Sequence, residues 1–224
     1  MAGINASVNV DPASITAIAF DLDNTLYSRD TAVHGWIRSI LSPDEALIAE
    51  AIAFDNSGFV PRPDFYGWIA DHVDWADTWQ EVEQRVQQEI FEFVKVTPAI
   101  NCALEVLANH YPLGLLTNGD GEFQRKKFAQ LGIVPRFRPE CCFATGELGV
   151  HKPERGAFEP LIEAFRLPAE EILFVGDNPV NDIQGAQELG MRTCWIQLRE
   201  DHTCPVTPDW TVSCASELLG ILDK

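Results

Sequence analysis

Positive charge is scarce in this chain. Its 224 residues hold 16 Lys and Arg against 34 Asp and Glu, a formal net charge of −18. That balance repels phosphate backbones and anionic headgroups, so it excludes nucleic acid and a charged membrane surface as expected partners. Long apolar runs are missing too, and nothing approaches the ~20 residues needed to span a bilayer. Residues 1–12 carry neither a basic start nor an apolar run, which predicts no secretory leader and a cytoplasmic protein. The six cysteines form no CxxC pair, and the adjacent Cys141-Cys142 would aim its thiols at opposite faces of a strand. They read as reduced core thiols. Internal repeats and low-complexity segments are absent as well.

What remains is the composition of a globular fold, 46% hydrophobic and 22% charged, long enough for one α/β domain with an insertion. The most informative stretch is Ile15-Thr16-Ala17-Ile18-Ala19-Phe20-Asp21-Leu22-Asp23-Asn24-Thr25-Leu26. Its apolar half reads as a short buried strand that stops abruptly at acids. Residues two apart share a strand face, so Asp21 and Asp23 can converge just beyond the strand end. Two such carboxylates repel, and need a cation, a proton or a reaction to hold them there. Asn24-Thr25 supplies the turn by which the chain leaves the sheet.

Residues 1–13 read as a loose arm. From about 30 to 95 strand signals vanish and helices are expected near 31–41, from Ser42-Pro43 as cap and first turn to 54, near 64–73, and near 75–94. This segment holds thirteen acids against four basic residues and four of the six tryptophans. It reads as an all-helical lid of residues 30–95, inserted into an α/β core of residues 1–29 and 96–224, with hinges near 28–29 and 97–98. From residue 98 onward apolar strands alternate with helices, which implies a Rossmann-like parallel sheet covered on both faces. Strands are expected near 112–116, 141–143, 171–175, 192–196 and 210–212. Ligands of such sheets bind beyond the carboxyl ends of the strands. Three polar groups fall at those ends, Asp21 with Asp23, Thr117 with Asn118, and Asp177, while Lys152 falls in a loop before a helix.

Asp21-Leu22-Asp23-Asn24-Thr25-Leu26, Leu116-Thr117-Asn118-Gly119, Lys152-Pro153, and Gly176-Asp177 with Asp182 together resemble the four motifs of the haloacid-dehalogenase-like hydrolase superfamily, in order. Gln124, Lys127, Leu131-Gly132 and Gly146-Glu147-Leu148-Gly149 resemble the branch with a helical cap after the first motif. The likeness covers residues 15–30 and 96–222, whereas the lid matches only in position and helicity.

The resemblance implies a phosphatase of a small phosphomonoester, of the sugar phosphate or nucleoside monophosphate class. Asp21 would be the nucleophile, forming an aspartyl-phosphate. Asp23 would be general acid and base, with Thr117 and Lys152 stabilising phosphoryl oxygens. Leu22, Asn118 and Gly119 would contact the substrate. Mg2+ would be held by Asp21, the backbone carbonyl of Asp23, and Asp177, with Asp182 orienting Lys152 or a metal-bound water. Arg62, flanked by prolines in the lid, is the candidate for touching the leaving group.

Rival readings are a dehalogenase, a phosphomutase, and a non-catalytic regulator retaining the fold. The dehalogenase branch lacks the second aspartate of the first motif and needs no Mg2+, so Asp23 and Asp177 count against it.

Overall fold

The structure, a computed structural model, describes residues 11–223. The expected arm of residues 1–13 lies largely outside them, and its end, Pro12–Ser14, is a single 3-10 turn. Two compact units are present, residues 1–27 with 96–224, and residues 28–95.

The first unit is built on six strands: β1 (Ala17–Phe20), β2 (Leu113–Thr117), β3 (Cys142–Ala144), β4 (Ile172–Gly176), β5 (Arg192–Ile196) and β6 (Trp210–Val212). All pair in parallel, in the order β3-β2-β1-β4-β5-β6. The order reverses between β1 and β4, and that switch point is where a doubly wound sheet opens a crevice at its carboxyl edge. Buried on both faces, β1, β2 and β4 are continuous apolar runs.

The second unit is helical: α1 (Arg29–Leu41), α2 (Glu45–Asp55), α3 (Arg62–Ala70) and α4 (Trp79–Glu89). Back in the first unit lie α5 (Pro98–Ala108), α6 (Gly121–Gln130), α7 (Thr145–Leu148), α8 (Arg155–Phe165), α9 (Gly185–Glu188) and α10 (Leu218–Ile221).

Residue size decides how α8 meets the sheet. Ala17 and Ala19 share one face of β1, and their register partners on β4 are Ile172 and Phe174. These pack with Leu116 on β2 and with Phe158, Leu161 and Phe165 of α8 in one buried cluster. Phe158 meets Phe174 edge to face, with centroids 5.3 Å apart. Gly114 leaves room for Phe165, whose ring tip lies 2.6 Å from where a Cβ would stand. Burial of each of these phenyl groups contributes about 1.5–3 kcal/mol. The other face carries Phe20, edge-on to Phe137, which in turn meets Phe128 of α6.

Three local expectations are corrected. Ser42 closes α1 rather than capping α2; the cap is Asp44, whose carboxylate accepts from the Leu47 amide at 2.9 Å. An acid there also meets the positive end of the helix, an advantage serine lacks. The helix expected from residue 75 begins at Trp79, because Thr78 and Glu81 form a capping box. It ends at Glu89 and passes into a 3-10 turn, Ile90–Glu92. The helix that the expected alternation puts after β4 opens as a π-helical turn, Pro179–Gln184, before becoming α9. Of the six free cysteines, Cys141, Cys142 and Cys194 are buried, Cys204 and Cys214 are half-buried, and Cys102 is exposed.

Inside the helical unit, Arg29 grips the buried Asp55 with two 2.7 Å hydrogen bonds. The Trp36 indole donates to Glu89 at 3.0 Å and is itself buried, so this tryptophan serves the unit's core. Trp68 stacks on His72 at 4.0 Å.

Candidate active site

The site grows from the alternation of β1. Asp21 continues the parity of Ala17 and Ala19, so its carboxylate leaves the sheet on the side that α8 covers. The loop entering α8 carries Lys152, which is why a side chain 131 positions away can reach it. Its ammonium donates to Asp21 Oδ1 at 2.7 Å, Asp182 Oδ1 at 2.7 Å and the Leu116 carbonyl at 2.9 Å. All three protons of the ammonium are used. Burial alone would lower the Lys152 pKa, but Asp182 and Asp21 outweigh it and raise it, so the lysine stays charged.

Asn118, at the end of β2, holds the Lys152 backbone at both ends: its Oδ1 accepts from the Lys152 amide at 2.9 Å and its Nδ2 donates to the Lys152 carbonyl at 3.1 Å. The expected substrate contact therefore has its amide committed to aiming the lysine. Gly119 has φ of 127°, and its N–H donates to Thr145 Oγ1 at 3.2 Å. Thr117 is buried, and its hydroxyl is met by the Gln124 amide nitrogen. Leu22 is fully buried, and its carbonyl accepts from Leu26 at 3.0 Å, closing the turn after β1. Asn24 takes the left-handed conformation there, with φ of 60°. Arg62 lies in the helical unit, where its guanidinium is 3.8 Å from Glu83.

Beyond β4, Asp177 and Asp182 complete an acidic cluster with Asp21, with one oxygen of each within 4.8 Å of the others. The π-helical turn delivers Asp182, whose Oδ2 accepts from the Asn178 amide at 2.9 Å. Gly176 is required beneath it, because a Cβ there would overlap the Asp182 carboxylate. The cluster is electrostatically unfinished: three carboxylates face one ammonium, that of Lys152. Burial, with Asp182 and Asp23 adding to it against Lys152, pushes Asp21 up to about 7. Burial, Asp182 and Asp21 likewise push Asp177 well above the usual carboxylate range. A hard divalent cation fits this donor set, since oxygen ligands suit it and two positive charges would balance the surplus.

Asp23 has a different environment. Lys127 donates to both its oxygens at 2.6 Å, Gln124 donates to Oδ2 at 2.9 Å, and the Tyr27 hydroxyl donates to Oδ1. Against the upward push of burial, Lys127 first and then Gln124 and Tyr27 hold Asp23 below the usual carboxylate range. Lys127 and Gln124 stand out in the sequence as a family-like pattern, but nothing there joins them to Asp23.

Taken together, the doubly wound sheet and the buried Asp–Lys centre at its switch point have the make-up of an α/β hydrolase with a candidate cation site. The chain belongs to the haloacid dehalogenase-like hydrolase family, whose model matches residues 15–190. It is 27% identical over 228 residues to the pyrimidine 5'-nucleotidase YjjG of Escherichia coli, covering 92% of this chain and 97% of that protein. It is 29% identical over 196 residues to a glyceraldehyde 3-phosphate phosphatase of Pyrococcus abyssi, covering 82% of each. The HAD-hydrolase YfnB of Bacillus subtilis, solved bound to magnesium, shares the fold with a TM-score of 0.78 at 21% identity, covering 94% of this chain and 99% of that one. Among the described residues, no helix is long and apolar enough to cross a membrane.

Proposed function

We propose that this hydrolase is a Mg2+-dependent phosphatase of a small phosphomonoester, working through an aspartyl-phosphate on Asp21. The observation that carries the reading is the Asp21–Lys152–Asp182 chain of 2.7 Å hydrogen bonds beside Asp177. It provides a nucleophilic carboxylate, a fixed cation and a surplus of oxygen ligands in one place.

Asp21, Asp177 and the Asp23 carbonyl would hold Mg2+, with Asp182 adjoining them. When bound, the ion would supply positive charge to the phosphoryl oxygens. Asp21 attacks phosphorus, and the bond to the leaving oxygen breaks. Asp23 gives that oxygen a proton, then takes one from the water that attacks the aspartyl-phosphate. Lys152 and the Thr117 hydroxyl stabilise charge on the phosphoryl oxygens.

The relatives named for a 5'-nucleotide and for glyceraldehyde 3-phosphate both act on phosphate carried by a primary alcohol. Alkoxides are poor leaving groups, so a positioned acid such as Asp23 matters most for them. The substrate class is therefore a sugar phosphate or a nucleoside monophosphate. Residues 30–95 are the insert that selects among leaving groups, with Arg62 the residue to test first.

Hydrolysis of p-nitrophenyl phosphate with Mg2+ and with EDTA, for wild type and Asp21→Asn, tests the reading. Turnover that requires Mg2+ and falls at least about 1,000-fold in the variant is expected. Turnover indifferent to both changes overturns it.

A further inference from the structure

Of the three carboxylates in the acidic cluster, two are tied by their own side chains. Asp21 accepts from Lys152, and Asp182 accepts from Lys152 and from the Asn178 amide. Asp177 differs. Among the described residues no hydrogen-bond donor reaches its carboxylate, although Asp182 and Asp21 both repel it. Its place beside Asp21 is therefore set through its main chain.

That main chain is held from the neighbouring strand. Trp195 on β5 is the register partner of Gly176, the last residue of β4, and its indole N–H donates to the Asp177 carbonyl at 2.8 Å. Trp195 is only 5% exposed, so little water competes for the bond. Two residues on, the Cys204 thiol donates to the Pro179 carbonyl at 3.7 Å, a longer and weaker tie from the segment after β5. A buried indole N–H takes a partner wherever it sits. Here the partner is the backbone of the one cluster residue whose carboxylate has no tie of its own.

We infer that Trp195 is a positioning residue of the cation site: its bond holds the Asp177 backbone against the repulsion of Asp21 and Asp182, so that the three oxygen ligands stand together before the ion arrives. This rests on the Mg2+ reading proposed above. Without the tie, Asp177 relaxes away from Asp21. The arrangement competent to bind is then only fractionally populated, and the apparent affinity falls by that fraction.

The test is calorimetric titration of the metal-free full chain with Mg2+ alone, without substrate. Trp195→Phe keeps an aromatic ring and loses the N–H, and its Mg2+ dissociation constant is expected to rise at least about tenfold. Trp210→Phe, which removes another buried indole from the adjacent β6, is expected to leave that constant unchanged. In turnover of p-nitrophenyl phosphate, the half-saturating Mg2+ concentration of Trp195→Phe should rise with the dissociation constant, with a smaller change in kcat at saturating Mg2+. A Trp195→Phe chain that is less stable in urea but binds Mg2+ as wild type does overturns the inference. So does an equal loss of affinity in Trp195→Phe and Trp210→Phe. Should Trp195→Phe fail to fold, Trp195→Met, which also lacks the donor, carries the same comparison. The two readings fail separately: a wild type that binds no Mg2+ and turns over in EDTA removes the metal reading and this role with it, whereas intact affinity in Trp195→Phe beside a Mg2+-binding wild type removes only the role of Trp195.

Discussion

Replacing Asp21 with asparagine in metal-free protein tests the electrostatics of the centre apart from its chemistry. Asparagine keeps the shape and removes the charge. Burial, with Asp182 and Asp23 adding to it against Lys152, pushes the Asp21 carboxyl from 3.8 to about 7. At about 1.4 kcal/mol per pKa unit, its ionised form costs the folded chain about 4 kcal/mol. Asparagine Oδ1 still accepts from Lys152 but without charge, and the weaker bond takes back about 1–3 kcal/mol, which leaves asparagine about 1–3 kcal/mol more stable. The sign of the pH dependence follows from the raised folded pKa. Between about pH 4 and about pH 7 the folded state binds the extra proton, so the Asp21 contribution to wild-type stability falls as pH rises and levels off above. The gain from asparagine is therefore largest near pH 8 and shrinks toward pH 5. Urea unfolding in EDTA at those two pH values measures it, and thermal melting should show an increase of about 2–12 °C at the higher one. Saturating Mg2+ should then stabilise wild type more than the variant. An asparagine variant that is less stable in EDTA at pH 8, or equally favoured at both pH values, would refute the reasoning.

Lys152→Met leaves the cluster with no internal cation, and should cost about 3–5 kcal/mol in urea unfolding at pH 8 along with turnover. Gly176→Ala pushes its new methyl into the Asp182 carboxylate, and should weaken Mg2+ binding about 10–100-fold by calorimetry. Thr78→Ala removes the capping box of α4 and should lower stability by about 1 kcal/mol in urea unfolding.

The sheet was readable from the chain because its strands are apolar runs cut off by chemistry-bearing residues. β1 stops at Asp21, β2 at Thr117 with Asn118, and β4 at Gly176-Asp177. Helix starts were less readable, because competing caps lie within a few residues. Asp44 wins over Ser42, and Thr78 with Glu81 overrides the apolar pattern that begins at Trp75. Least readable were jobs done by one side chain for another. Asn118 has the composition of a strand-end turn, and only the tertiary fold shows both its amide atoms on Lys152. Lys127 lies 104 positions from Asp23, and no spacing rule links the two. The π-helical turn carrying Asp182 has no sequence signature of its own.

The strand order has a consequence for how this chain comes to be folded. β1 lies in the middle of the sheet, yet its neighbours are β2 and β4, and the contact at its β4 edge between Thr16 and Glu171 spans 155 positions. During synthesis β1 emerges with both edges unsatisfied and waits for most of the chain to follow. Its acids wait with it. Asp21 does not meet Asp177 until β4 docks, so their mutual repulsion is deferred to the last stages of assembly. Docking of β4 beside β1 and assembly of the acidic cluster are one event, and a chain halted before β4 has an exposed apolar edge on β1 and no cluster.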